Sequence, residues 1–197
     1  MKKVLLIILI IGFMVSVSFA QMGNMKFGLK SGMTLGKIKI DTEIPSSVNR
    51  KLRFSFAAGG MMIMSLGEKM AIQTELMYVK KGEKFSESGM EFESAMDVLE
   101  LPVLFKYRVM EDVSIYAGMS FDYLMNSTFM FYNLDELDVV KKFGYGVSFG
   151  AQYMIDKLIL DLRYDLGLTN YLDEAIIPDL GDKIKLNTIY FTMGYLF

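Results

Sequence analysis

From Leu158 to Thr169 the chain reads as two interleaved lists. Leu158, Leu160, Leu162, Tyr164, Leu166 and Leu168 occupy one face, and Asp161, Arg163, Asp165, Gly167 and Thr169 the other. Strict period-two alternation belongs to a β-strand whose two faces meet different surroundings, because successive side chains point to opposite sides.

The pattern recurs seven more times, at Met25 to Gly36, Leu52 to Ser65, Met70 to Lys81, Val98 to Arg108, Val113 to Tyr123, Phe143 to Tyr153 and Leu186 to Phe197. In Phe143 to Tyr153 the bulky face is Phe143, Tyr145, Val147, Phe149, Ala151 and Tyr153, opposed by Gly144, Gly146, Ser148, Gly150 and Gln152. Segments of roughly ten residues suit tilted strands crossing a hydrocarbon layer. The connections alternate. Leu66 to Lys69, Val109 to Asp112 and Ile155 to Lys157 are short, whereas Lys37 to Lys51, Gly82 to Asp97, Leu124 to Lys142 and Asn170 to Lys185 are long. Eight strands, three short turns on one side and four long loops on the other predict an all-β, antiparallel, up-and-down transmembrane barrel with exterior loops and periplasmic turns.

Alternation alone does not say which face lies inside, and a soluble periplasmic barrel holding a lipid has the same period. Volume favours the bulky face outward. An eight-stranded interior is just filled by side chains, which suits the glycine- and serine-rich face better than the leucine-, methionine- and aromatic-rich one. Aromatic residues on the bulky face fall near the strand ends. Phe54, Tyr78, Tyr123, Phe143 and Tyr145 lie toward the long loops, and Tyr107, Tyr153, Tyr195 and Phe197 toward the short turns. Two such bands match the interfacial girdles of membrane barrels, although the chain has no tryptophan.

The N-terminus has a different pattern. Lys2 and Lys3 precede an apolar run from Val4 to Val15, and Ser18-Phe19-Ala20 offers a small-residue cleavage site. This is a secretory signal, so residues 1–20 are expected to be removed, leaving 21–197 as one outer-membrane barrel domain of a Gram-negative bacterium. The apolar run is short for a membrane anchor.

Composition narrows function mainly by exclusion. With 21 Lys and Arg against 23 Asp and Glu, the net charge of −2 does not suit a nucleic-acid surface. The absence of His and Cys removes serine and cysteine triads and thiolate metal sites. No cofactor and no enzymatic activity are expected. The 18 methionines read as adaptable apolar filler rather than a soft-metal site. Asp135, Glu136, Asp138, Asp173 and Glu174 lack EF-hand spacing and read as solvated loop.

Among the charges on the polar face, Lys30, Glu75, Glu100, Lys106, Asp122, Asp161, Arg163 and Asp165 are the candidates for a lumen network. Lys30, Glu75 and Arg163 each lie about five residues from the short-turn end, which predicts a common height. The expected arrangement is an internal ion-pair network filling the lumen. A polar path for ions is the competing reading.

The string from Ala71 to Gly82, Ala-Ile-Gln-Thr-Glu-Leu-Met-Tyr-Val-Lys-Lys-Gly, resembles the third strand of the outer-membrane β-barrel family that includes PorT-like proteins. Leu99 to Tyr107, Tyr116-Ala117-Gly118, Leu162 to Asn170, Gly28 to Gly32 and the closing aromatic fit the same family in order and spacing. Thr74 departs from it, standing where the family often has proline. The resemblance implies an outer-membrane barrel embedded in lipid and inserted by the barrel-assembly machinery, with Ile189, Phe191, Met193, Tyr195 and Phe197 as the assembly signal. It implies no agreed biochemical activity. A structural or interaction role through the exterior loops is the leading expectation, with an unidentified loop partner. Membership of a secretion or transport complex is the alternative.

Overall fold

The structure is a computed structural model that describes residues 24–40, 49–87, 90–128, 141–171 and 184–197. The expected signal segment and the acidic loop residues Asp135, Glu136, Asp138, Asp173 and Glu174 lie outside them. Eight strands follow in order: β1 (Met25–Ile40), β2 (Asn49–Ser65), β3 (Met70–Glu87), β4 (Met90–Arg108), β5 (Val113–Thr128), β6 (Phe143–Ile155), β7 (Leu158–Gly167) and β8 (Ile184–Leu196). Each pairs antiparallel with its sequence neighbours, and β8 closes onto β1.

The closure is staggered. Following paired residues once round from Phe27 passes through Met62, Thr74, Val103, Met119, Val147, Leu166 and Asn187, and returns to β1 at Lys37, ten residues along. With strands about 4.8 Å apart and a rise of about 3.3 Å per residue, that stagger tilts them by roughly 40° to the barrel axis.

The bulky face lies outside. Leu29, Phe56, Leu76, Phe105, Met119, Phe149, Leu162 and Met193 are all exposed around the barrel wall. A soluble barrel with this face inward is thereby ruled out. Aromatic pairs sit near both ends: Tyr123 and Phe143 at 5.1 Å toward the loops, Tyr195 and Phe197 at 6.1 Å toward the turns. The turn joining β6 to β7 places Asp156 at φ 52°, a left-handed conformation that a short polar side chain tolerates.

The connection expected as a loop over Gly82 to Asp97 is corrected. It is strand for most of its length, β3 running to Glu87 and β4 starting at Met90, with the two paired throughout. Charged residues recur through that segment, so a reading tuned to lipid-facing periodicity stops at Lys81. The neighbouring strands are longer than read as well: β1 continues to Ile40, β2 begins at Asn49 and β5 continues to Thr128. Outside the hydrocarbon layer neither face needs to be apolar, so strand can continue without the pattern. Two bulges accommodate the extension, one between Leu52 and Ala57 in β2 and one at Met125 in β5.

Pro102 is the residue that a buried strand should not carry. Here the β3–β4 ladder skips Glu75 and Leu76 opposite Leu101 and Pro102, while the β4–β5 ladder runs through Pro102 without a break. The missing N–H therefore interrupts one seam of the wall, beside Glu75.

Candidate functional site in the barrel lumen

The inward faces of the strands converge on a charged layer. Arg163, 1% exposed, donates from one guanidinium nitrogen to Glu75 Oε2 at 2.8 Å and from the other to Glu100 Oε1 at 2.5 Å. Its Nε lies 3.2 Å from Asp165 Oδ1, within ion-pair range but without hydrogen-bond alignment. The guanidinium also lies over the Tyr190 ring, 4.1 Å from its centroid, a cation–π contact in a water-poor interior.

Two lysines extend the layer. Lys30 Nζ sits 2.7 Å from Glu75 Oε1 and 2.6 Å from Asp161 Oδ2. Lys81 Nζ sits 2.6 Å from Glu100 Oε2 and 3.1 Å from Asp122 Oδ2. Neutral donors complete the carboxylates. Tyr190 donates to Glu100 at 2.5 Å, Tyr116 to Asp161 at 2.7 Å, Tyr171 to Asp122 at 3.0 Å, Gln73 to Glu75 at 2.6 Å and Thr192 to Asp161 at 3.2 Å. All of these side chains are buried. A buried charge is tolerated only when paired and hydrogen-bonded, which is how Glu75, Glu100 and Asp161 are held here.

Seven of the eight charges read from the sequence join this layer, and Lys106 stands apart. Its ammonium contacts the Gln152 side-chain oxygen, with no carboxylate within ion-pair distance among the described residues. Asp165 is the least satisfied carboxylate. Its oxygens have no hydrogen-bond partner, although Ser148 and Thr188 flank it in register on β6 and β8.

Lys81 is a functional-layer residue that the sequence reading left out. It shares the parity of Gln73 and Glu75 but lies at the last position of the periodic segment Met70 to Lys81. Tyr116 and Tyr190 are likewise on the polar parity and supply phenol donors. Tyr171 had no such signal, because it follows β7 and enters the lumen from a connection.

Small residues make the room. A Cβ at Gly150 would lie 2.5 Å from the Tyr116 hydroxyl, and one at Gly144 would lie 2.2 Å from the Tyr171 hydroxyl. These glycines therefore seat specific phenols rather than acting as general spacers.

The layer is closed off at both ends by apolar side chains. Met61, Ile63, Ile159 and Leu196 cluster toward the turns. Met96, Val98, Leu124, Tyr171 and Leu186 cluster toward the loops. Beside the charges, Ala57, Met77, Val79 and Tyr190 form a third group. The lumen is thus filled rather than open, and the charged layer lies between two greasy ones.

The five residues at the C-terminal end are differently disposed. Phe191, Met193, Tyr195 and Phe197 project outward and are exposed, while Ile189 is half-buried on the same face.

Comparison with known proteins fits this architecture. Ail, the attachment invasion locus protein of Yersinia pestis, solved in complex with the heparin analogue sucrose octasulfate, superposes with a TM-score of 0.52 at 15% identity, over 88% of this chain and 99% of Ail. Neisserial surface protein A superposes with a TM-score of 0.55 at 10% identity, over 87% of this chain and 97% of that protein. At such identities the likeness concerns the fold. A family model described as "Outer membrane protein beta-barrel domain" matches residues 19–173, most of the length. The closed barrel, its apolar exterior and this match together show that the chain belongs to the outer-membrane protein β-barrel family.

Proposed function

We propose that this outer-membrane barrel has no enzymatic activity and serves a structural or interaction role through the parts that rise beyond its loop-side aromatic band. The observation that carries this reading is the filled lumen. Among the described residues, charges locked in ion pairs lie between two apolar clusters, which argues against a continuous water column for ions. A chain without His also lacks the commonest general acid–base residue.

Planar-bilayer recording tests it. The purified barrel is expected to give no stable, ion-selective conductance steps, and reproducible open channels would replace the interaction reading with a transport one.

The β3–β4 extension is the best-defined part of the exterior surface. Residues 90–94 pair only with β3 among the described residues, while residues 83–86 of β3 also pair with β2, so the hairpin continues the wall and leaves one edge open. Replacing residues 84–93 by a two-residue turn is expected to leave heat-modifiable gel migration intact. Loss of the folded band would make the hairpin part of the barrel rather than a displayed element.

Export is proposed to proceed by cleavage after Ala20. The outward, exposed face formed by Phe191, Met193, Tyr195 and Phe197, with Ile189, supports their reading as the signal taken up by the barrel-assembly machinery. Participation in a PorT-like secretion complex rests on the family resemblance alone, and no stretch of the chain singles out that subgroup. Co-purification with other envelope proteins is its test.

A further inference from the structure

We propose that the turn-side vestibule of the lumen is a binding site for a small oxyanion of the phosphate or carboxylate class, seated against Lys106. Lys106 is 8% exposed and its ammonium has the Gln152 oxygen as a neutral partner. The other buried cations differ. Lys30, Lys81 and Arg163 each hold two or more carboxylates within 3.2 Å. A buried ammonium whose direct partner is neutral is costly even with Asp161 and Glu75 attracting it from a distance, and an anion arriving beside it recovers part of that cost.

Lys106 lines a half-enclosed cavity of about 50 Å³ at the turn end. Lys26, Lys69 and Arg108 line the same space, against one carboxylate, Glu68. Lys26 and Arg108 carry the inward parity of their strands. The Arg108 N–H donates to the Lys69 carbonyl at 2.8 Å, which fixes those two residues side by side at the rim. Ile63, Met154 and Leu196 supply apolar lining. Low-polarity walls strengthen attraction between the cations and a bound anion. The space exceeds what one water needs and suits a tetrahedral or planar oxyanion.

Barrels of this family turn their short connections toward the periplasm. Two sources of the same chemistry reach that mouth: a free anion, or the phosphate of a phospholipid headgroup in the adjoining leaflet.

The test uses the full barrel folded in dodecyl maltoside, a detergent without phosphate. Titration with inorganic phosphate is followed by NMR of the lysine side-chain methylenes next to nitrogen. Saturable shifts of the Lys106 signals are expected, with no such saturation in sodium chloride of matched ionic strength. Lys106→Met should weaken binding by about tenfold or more and Arg108→Gln by about threefold, while Lys142→Gln on the loop side changes nothing. Arg108 lies exposed at the rim, so its variant reports even if Lys106→Met fails to fold.

In nanodiscs of phosphatidylglycerol, a phosphate titration displaced to higher concentration assigns the site to the headgroup. An unchanged one assigns it to the free anion. The proposal is overturned if nothing saturates up to roughly 20 mM phosphate, a Kd too weak for a built site. It is equally overturned if chloride reproduces the shifts, or if Arg108→Gln and any folded Lys106→Met bind as the parent does.

Discussion

Replacing Arg163 with methionine should destabilise the folded barrel by about 3–5 kcal/mol, the range found when one partner of a buried ion pair is removed. The expectation follows from what the guanidinium leaves behind. Glu75 retains Lys30 and Gln73, and Glu100 retains Lys81 and Tyr190, but each loses a short charge-assisted bond. Asp165 fares worse. Arg163 is its closest cation, and its oxygens accept no hydrogen bond in the parent. Urea unfolding in lipid vesicles, followed by the heat-modifiable band, reads the effect. Adding Asp165→Asn to the methionine variant should recover part of the loss, because a neutral amide costs less to bury unpaired than a carboxylate. Such recovery is non-additive by design and is the signature of a coupled network. A parental midpoint in the single variant would mean that the lumen charges are solvated and carry no structural load.

The strand pattern made the wall legible because lipid enforces it. On β7, any residue of even number meets hydrocarbon and any of odd number meets the lumen, so Leu162 and Arg163 announce their faces. Lys30 and Arg163, both on inward parity, each reach Glu75, at 2.7 and 2.8 Å. Once the chain rises past the loop-side aromatic band that pressure ends. Strand then continues through Gly82 to Glu87 by backbone pairing alone, which no hydrophobic period reveals.

The apolar plugs were hidden for a related reason. Met61, Ile63 and Ile159 have inward parity, yet an apolar residue there looks like noise in a pattern read as polar-in and greasy-out. Only closure of the barrel shows that these residues meet across the lumen from β2, β7 and β8. Tyr171 lies outside every periodic segment. Its insertion between Gly144 and Asp122 depends on a connection whose course the sequence pattern does not encode. What sequence alternation conveys is sidedness; which inward residues touch is decided by stagger.

That sidedness can be tested one residue away from Arg163. Leu162→Arg should cost about 2–4 kcal/mol, the penalty for a cation at the bilayer midplane of a barrel. Leu162 is 50% exposed, lies in the middle of β7 and pairs with Ala151 and Phe191 on its flanks. Among the described residues no carboxylate shares its face at that height, so the new guanidinium would have to reach the headgroups along the wall. Leu158→Arg, on the same face at the turn-side end of β7, should cost only about 0–1 kcal/mol, because the interface hydrates it. Both are read by urea unfolding in vesicles. The gradient between them is the decisive quantity, since a loss of packing alone would not depend on depth. Equal penalties at the two sites would place the outer face in contact with protein rather than lipid. A steep gradient, set beside the loss from Arg163→Met, would show the same side chain required on one face of a strand and rejected on the other.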